Sequence, residues 1–462
     1  MKTKRRADVS KRGGRYSLAV TCLAVIAGLM MCVHVAAQQP ASVTVQQATP
    51  GELGVYAIRN ARIVTVSGPE IESGTLIIRG GKIEAVGASA SVPANAQEID
   101  ARGLVVYPGM IDIGTSLGLV EISTGAPGTV DLTEVGEMNP NAKAIIAINP
   151  HSAHVGVTRA NGVTSVLSIP LGNIIAGQAA LIDLNGTTPG EMAVVPSAAL
   201  VVNFPRTNTT TVDFLFNQQP VNLTEAINTR DKQVEQLRAI LRDAEAYGRA
   251  QDAYARDNKL PRPNQNVLLA SLVPFVRGER PVIIRADREA EIRAAVRFAD
   301  ELRLRPIILG GNDAWKVTAL LKERNVPVIL TGVLDLPMRE DDYYDTLYAN
   351  AAKLQQAGVR FCISTGDTGA NVRDLPYHAG MAAAFGLPPA EAIKAITLYP
   401  AQIMNVADQM GSIEPGKKAN LLITDGDLLE ARTHVRHLFI GGRQIPLTSR
   451  HTQLYEQFKN RR

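Results

Sequence analysis

Tyr107-Pro108-Gly109-Met110-Ile111-Asp112-Ile113-Gly114-Thr115-Ser116 is the stretch that decides the predicted fold. An apolar segment, residues 103–106, enters a Pro-Gly turn here, and a second short apolar strand leaves it. The stretch separates a region of short alternating segments from a long region in which apolar runs alternate with amphipathic ones. We therefore take it as the entry into an α/β domain.

The segments before this stretch and those near the other end of the chain both predict antiparallel strands. The first group comprises residues 56–59, 62–66, 74–78 and 82–86, and the second comprises 419–424, 437–440 and 443–445. A Gly-Gly pair lies in each group, at Gly80-Gly81 and Gly441-Gly442, as in a two-residue hairpin turn. We expect the two chain ends to form one composite β-sandwich.

The middle of the chain predicts a (β/α)8 TIM-type barrel, because buried strands alternate there with amphipathic helices such as residues 289–302. The strand-like runs are residues 162–167, 281–284, 306–309, 326–330 and 359–363. A doubly wound open sheet is the alternative, but the chain lacks a Gly-X-Gly-X-X-Gly turn. Residues 222–258 have helical spacing with dense charge, which predicts a helical insertion forming a solvated cover or lid.

The N-terminus has the pattern of a secretory signal peptide cleaved after Ala37, with seven Lys or Arg in residues 1–16, an apolar run and then small residues. This predicts export to the periplasm or the extracellular space. The alternative is an uncleaved membrane anchor; a lipoprotein signal through Cys32 is disfavoured because Met31 is bulky. Removing residues 1–37 takes seven of 48 basic and one of 44 acidic residues, leaving 41 against 43 and a net charge of −2. Nothing in that balance supports nucleic-acid binding.

The patterns divide the chain into six parts. These are the signal peptide (1–37), a linker (38–53), the first part of the sandwich (54–107), the barrel (108–405), the second part of the sandwich (406–447) and a tail (448–462). The mature chain keeps a single cysteine, Cys362, so no internal disulfide is expected and a large core must stabilise the fold. Cys362 lies in an apolar run and is predicted to be buried and inert.

Three segments resemble the amidohydrolase superfamily, and in particular its imidazolonepropionase-like branch. They are residues 108–112, residues 162–166 and the run 395–402 that continues into 411–421. The resemblance covers roughly residues 53–447. It implies a barrel that hydrolyses non-peptide carbon–nitrogen bonds with a metal held at the carboxyl ends of its strands.

The positions at which the resemblance places metal ligands carry other residues in this chain. The first-strand pair of histidines falls on Gly114 and Ser116, the fifth-strand histidine on Arg285 and the sixth-strand histidine on Gly310. The eighth-strand aspartate has its nearest match in Asp367. We therefore expect no cofactor, and a divalent metal only if unrecognised residues supply its ligands.

The remaining polar candidates are Arg285, Asp367 and three histidines. Arg285 either pairs with Asp367 in a structural ion pair or grips an anionic ligand. His378 follows the eighth strand and is a candidate for substrate binding, or else packs at a helix N-terminus. His151 and His154 precede a strand, so we expect them on a surface helix directed away from the carboxyl ends of the strands.

Three functional hypotheses follow. The first is an exported hydrolase of non-peptide carbon–nitrogen bonds in cyclic amides or similar small molecules. The second, favoured by the residues, is a pseudoenzyme barrel that has lost its metal and is a ligand-binding or structural protein. The third is metal-independent hydrolysis with Asp367 as general base and Arg285 as anion holder. The expected partner is a small molecule; a membrane enters only through an uncleaved N-terminus, and the oligomeric state stays open.

Overall fold

The computed structural model describes residues 51–122, 126–212 and 218–461. The predicted signal peptide and nearly all of the linker lie outside the described residues. No helix in the described part of the chain combines the length and apolar character needed to cross a membrane.

One nine-stranded sheet is built from both chain ends, as predicted. Its strands are β1 (Glu52–Leu53), β2 (Tyr56–Ile63), β3 (Ile71–Arg79), β4 (Lys82–Gly87), β5 (Gln97–Asp100), β6 (Val105–Pro108), β17 (Leu421–Thr424), β18 (Val435–Ile440) and β19 (Arg443–Ile445). They run in the order β1-β19-β18-β17-β6-β2-β3-β4, with β5 paired to β2. The two ends meet where β17 pairs antiparallel with β6. The buried side chains of this sheet, including Tyr56 and Phe439, form an apolar core of their own.

An eight-stranded sheet forms the predicted barrel. Its strands are β7 (Met110–Thr115), β8 (Val163–Ser168), β9 (Ile175–Asp183), β10 (Ala193–Asn203), β13 (Val282–Ala286), β14 (Pro306–Gly310), β15 (Val328–Leu330) and β16 (Phe361–Ile363). The small hairpin β11 (Thr210–Val212) and β12 (Gln218–Pro220) lies outside it. Alternate side chains such as Ile113, Leu167, Ile283 and Ile329 form the inner core.

Seven of these strands run in one direction and β9 runs against both of its neighbours. β9 and β10 were not predicted from the sequence, although β9 is buried throughout and β10 is buried from Ser197 to Val202. They follow β8 through short connections rather than through long amphipathic helices. The expected alternation of strand and helix is therefore interrupted at this point, and a search for βα units passes over it.

Helices cover the outside of the barrel. They are α1 (Ala144–Ala147), α2 (Ala153–Ala160), α3 (Pro189–Met192), α4 (Leu223–Arg256), α5 (Val267–Val276), α6 (Glu289–Glu301), α7 (Thr318–Glu323), α8 (Asn350–Ala357), α9 (Leu375–Ala384), α10 (Pro389–Ala395), α11 (Leu398–Ile403) and α12 (Arg450–Phe458). Short 3-10 turns occur at Pro127–Thr129, Ala314–Lys316 and Val372–Asp374.

The helix α4 lies within the segment 222–258 that was predicted to be helical, but its packing corrects the expectation of a solvated cover or lid. Its Leu237, Leu241 and Ala244 are buried and belong to the main core, together with Leu272 of α5. The charged residues between them face outward, which gives the segment a polar composition. α4 is therefore part of the outer helical layer.

The barrel has a seam between β7 and β16, which are the first and last strands of the ladder. The fully buried carboxylate of Asp112 spans it, accepting hydrogen bonds from the Ser364 hydroxyl and from the Thr365 hydroxyl (2.6 Å) and backbone N–H (3.2 Å). Burial raises the pKa of Asp112, and these hydrogen bonds partly offset that rise. The bonds of Asp112 thus join two strands that the backbone ladder does not join.

Candidate functional site at the barrel mouth

The carboxyl ends of the seven codirectional strands meet at one end of the barrel, which we call the mouth. Gly114 and Ser116 lie at the end of β7, Arg285 at the end of β13 and Gly310 at the end of β14. Asp367 follows β16. The structure therefore brings the sequence-predicted positions to the same end of the fold.

The space beside Gly114 is already occupied by Ser364. A Cβ atom on Gly114 would lie 2.3 Å from the Ser364 Oγ and 2.9 Å from its Cβ. The same Ser364 hydroxyl donates to the buried Asp112, so it cannot turn away without leaving that carboxylate short of a donor. A residue with a Cβ atom therefore does not fit at this position unless Ser364 moves.

Ser116 is equally committed to the backbone around it. Its hydroxyl donates to the carbonyl of Ile169 at 2.7 Å, and its N–H donates to the carbonyl of Asp367 at 3.2 Å. Only 4% of the residue is exposed. Ser116 holds the loop after β7 in place.

Gly310 has a second occupant beside it. A Cβ on Gly310 would lie 2.3 Å from Oδ1 of Asp287, and the φ of Gly310 is +106°, a conformation that side-chain-bearing residues rarely adopt. Asp287 thus lies where a sixth-strand side chain would begin. Sequence reasoning missed this residue, although its place just beyond the end of β13 marks it as a mouth residue.

Arg285 brings a fixed positive charge to the mouth. Its side chain reaches solvent, but the surrounding protein desolvates it and lowers its pKa, while Asp287 acts in the opposite sense and Arg206 adds repulsion. Asp287 is therefore the carboxylate that attracts Arg285. Of the two alternatives for Arg285, the ion pair with Asp367 is not found among the described residues. For Asp287 itself, burial and the nearby Glu291 raise the pKa, and Arg285 lowers it.

The residues at the mouth do not fit a divalent metal held as the resemblance implies. Two of the positions have no room for a ligand, and a guanidinium at a third would repel a cation. Within residues 51–122, 126–212 and 218–461, no three His, Cys, Asp or Glu side chains are grouped so that they could hold a metal ion.

Asp367, the candidate general base, organises its own loop. Its carboxylate accepts from the N–H groups of Gly369 (2.7 Å) and Asn371 (3.1 Å) and from the Asn371 side-chain amide (3.1 Å). Its carbonyl accepts from the Thr115 hydroxyl at 2.7 Å. These bonds engage both carboxylate oxygens and hold the loop after β16 in place.

His378 lies on α9 with 7% of its surface exposed. Desolvation lowers its pKa to about 4, with a partial opposing effect from Asp367. Its Nδ1 is buried, and no hydrogen-bond partner for it occurs among the described residues. The imidazole is therefore neutral at pH 7.

The expectation for His151 and His154 is half wrong. His151 is exposed, but His154 is half-buried, and its Nε2 lies 2.9 Å from the carbonyl of Glu121. Its ring packs against Gly369, which follows β16. α2 begins where the loop from β7 ends, so its first turn is at the mouth end of the barrel, although it precedes β8 in the chain.

Eight strands around an apolar centre, an outer helical layer and a sheet from both chain ends define a TIM-type barrel with an additional sheet. Residues 313–445 match the amidohydrolase family, so the chain contains an amidohydrolase family domain. That match includes the mouth loop with Asp367 and both C-terminal segments of the resemblance noted above.

Solved structures share the fold. An amidohydrolase from Thermotoga maritima MSB8 superimposes with a TM-score of 0.74 at 22% identity, over 85% of this chain and 99% of that one. A molinate hydrolase superimposes with a TM-score of 0.52 at 16% identity, over 86% of this chain and 95% of that one. At these identities the likeness concerns the fold alone.

Among curated proteins, a 57-residue stretch is 39% identical to the Putative N-acetylgalactosamine-6-phosphate deacetylase of Escherichia coli (strain K12). The stretch covers 12% of this chain and 31% of that protein. The chain thus matches about a third of the length of this relative.

Proposed function

We propose that this protein is an exported amidohydrolase-type barrel that binds a small anionic molecule at its mouth and uses no catalytic metal. The observation that carries the proposal is the filling of two ligand positions. Ser364 occupies the space beside Gly114, and Asp287 occupies the space beside Gly310. The export part rests on the N-terminal sequence pattern alone.

The charge at the mouth supports an anionic ligand. Arg285 has a single carboxylate, Asp287, acting on it, and a second cation, Arg206, is near enough to repel it. A guanidinium is permanently charged and can donate two parallel hydrogen bonds to a carboxylate or phosphate. An anion bound by Arg285 would relieve the repulsion between the two arginines.

Two measurements test the proposal. Elemental analysis of the purified, dialysed mature chain should find zinc, iron and manganese far below one atom per chain; near-stoichiometric metal would overturn the metal-free part.

A thermal-shift screen of small carboxylates and phosphates should find a stabilising ligand whose effect is lost in Arg285→Gln. The matched control is Arg305→Gln, an exposed arginine directly before β14, at the opposite end of the barrel. If Arg305→Gln removes the effect equally, Arg285 is not the anion holder.

The family match favours a second candidate, a hydrolase of non-peptide carbon–nitrogen bonds in small cyclic or linear amides. Its metal-independent form would use Asp367 as the base, although three hydrogen bonds already engage that carboxylate. A panel of lactams and hydantoins with the native chain and Asp367→Asn decides between these forms. Hydrolysis that persists in Asp367→Asn excludes Asp367 as the base, and turnover that requires added metal excludes the metal-free proposal. The imidazolonepropionase-like assignment stays a prediction that the same panel tests.

A further inference from the structure

A cleft of about 580 Å³ lies outside the barrel, between α4, α6 and the segment after β10. Its volume is in the range of sites that bind small molecules. Phe204 and Phe298 form its apolar floor and pack edge to face with their ring centroids 5.6 Å apart. We propose that this cleft is a separate binding site for a small organic anion that has two acidic groups on an apolar body.

The charges around the floor are unbalanced. Five arginines and three acidic residues line the cleft, and two of the arginines are already paired. Arg230 binds Asp231 at 2.6 Å, and Arg238 binds Glu301 at 3.0 Å while lying over the Phe298 ring. Arg238 therefore joins α4 to α6, and Arg230 joins α4 to the segment after β10 through the hydroxyl of Thr207 (3.1 Å).

The third acid, Glu291, forms no ion pair with an arginine among the described residues. Glu291 accepts the N–H groups of Asp287 (3.1 Å) and Arg288 (3.2 Å) at the start of α6. The guanidinium groups of Arg206, Arg288 and Arg297 make no hydrogen bond or ion pair with any residue that the structure describes. Three cations thus line the cleft without a direct anionic partner among the described residues, although the Asp287 charge acts on Arg206.

This arrangement sets the chemistry of the ligand. Guanidinium groups bind carboxylates and phosphates by paired, charge-assisted hydrogen bonds, and the phenyl floor favours a flat or apolar body. Isolated arginines on a convex surface would be fully solvated and would offer no such floor. A single acidic group would leave at least one of Arg288 and Arg297 unused, so two groups fit the cleft better.

Isothermal titration with isophthalate tests the proposal, because this molecule has two carboxylates on one ring. The double variant Arg288→Gln/Arg297→Gln leaves Arg206 intact, since Arg206 also acts on Arg285 at the mouth. The control Arg249→Gln/Arg293→Gln removes two exposed arginines of the same two helices that do not line the cleft, and it changes the net charge equally. Melting curves of both variants report whether the fold is kept.

The expected result is saturable binding of isophthalate that the cleft variant weakens by at least about tenfold and the control variant leaves nearly unchanged. Benzoate, with one charge, and inorganic phosphate, with no apolar body, should each bind more weakly. The proposal is overturned if isophthalate does not bind the native chain at millimolar concentration, or if both double variants weaken it equally. Phosphate binding as tight as that of isophthalate would overturn the role of the apolar floor. Retained binding in Arg285→Gln shows that this site is independent of the mouth.

Discussion

Gly310→Ala is the substitution that most directly tests how the mouth is filled. The new methyl group would lie 2.3 Å from Asp287 Oδ1, well inside van der Waals contact, so the carboxylate must move. The φ of +106° adds backbone strain, because an alanine rarely adopts it.

The size of the effect can be worked out from these two contributions. Holding a non-glycine residue in a sparsely populated backbone conformation costs about 1–2 kcal/mol. Displacing Asp287 weakens its attraction to Arg285 and its hydrogen bond from the Asn312 N–H, which adds about 1–2 kcal/mol. We expect Gly310→Ala to lower the free energy of unfolding by about 3 kcal/mol in urea denaturation followed by circular dichroism.

Gly416→Ala is the matched control for backbone strain. Gly416 has a φ of +89° with nothing within 4 Å of its would-be Cβ, so only the strain of about 1–2 kcal/mol should appear. In an Asp287→Ala background the clash is absent, and Gly310→Ala should then cost no more than Gly416→Ala. Equal costs for the two glycine variants in the native background would refute the claim that Asp287 fills this position, as would a Gly310→Ala cost that does not depend on Asp287.

Three further outcomes are expected. Burial alone would raise the pKa of Asp313, but hydrogen bonds from Arg339 and Lys316 lower it to about 2. Asp313→Asn should therefore lower the free energy of unfolding by about 1–2 kcal/mol above pH ~4. In urea denaturation at several pH values, this difference from the native chain should vanish as pH falls toward 2. The His378 imidazole should titrate near pH 4 by NMR, and a midpoint near 6.5 would contradict its burial. Because the pKa of His378 is depressed in the folded state, its contribution to stability is present above pH ~6.5 and is lost as pH falls toward 4. Asp112→Ala should lower the free energy of unfolding by about 3 kcal/mol, because it leaves the donors of Ser364 and Thr365 at the seam unpaired. The substitution should also speed hydrogen exchange at the Thr365 amide. Unchanged exchange at that amide would mean that the seam does not depend on Asp112.

Periodicity predicted most of the architecture. The runs at residues 281–284, 306–309 and 359–363 became β13, β14 and β16, and the glycine-rich hairpins at both ends joined one sheet. β9 and β10 were missed because no amphipathic helix separates them, so the strand–helix alternation that identifies a barrel is absent there. Their buried runs were the available signal.

The mouth was predicted in its positions but not in its contacts. Gly114, Ser116, Arg285 and Gly310 could be placed by alignment with strand ends, since a strand end has one location in a barrel. Asp287 could not, because its role depends on the empty space that a glycine on the next strand leaves. The error over His154 has a related cause. Its location was inferred from its place before β8 in the chain, whereas the location depends on where the first turn of α2 lies relative to the mouth.

The two filled positions also limit what a single histidine at Gly114 or Gly310 could do, because a neighbouring side chain already occupies each space. Ser364 fills the space beside Gly114 and at the same time supplies a hydrogen bond to the buried Asp112 across the seam. Asp287 fills the space beside Gly310 and at the same time partly neutralises Arg285. Removing Ser364 would take one of several donors from the buried Asp112, and removing Asp287 would leave Arg285 without the carboxylate that attracts it. Each change carries its own cost in stability. A histidine at Gly114 or Gly310 therefore requires a second change at Ser364 or Asp287, and this coupling supports the proposed metal-free mouth.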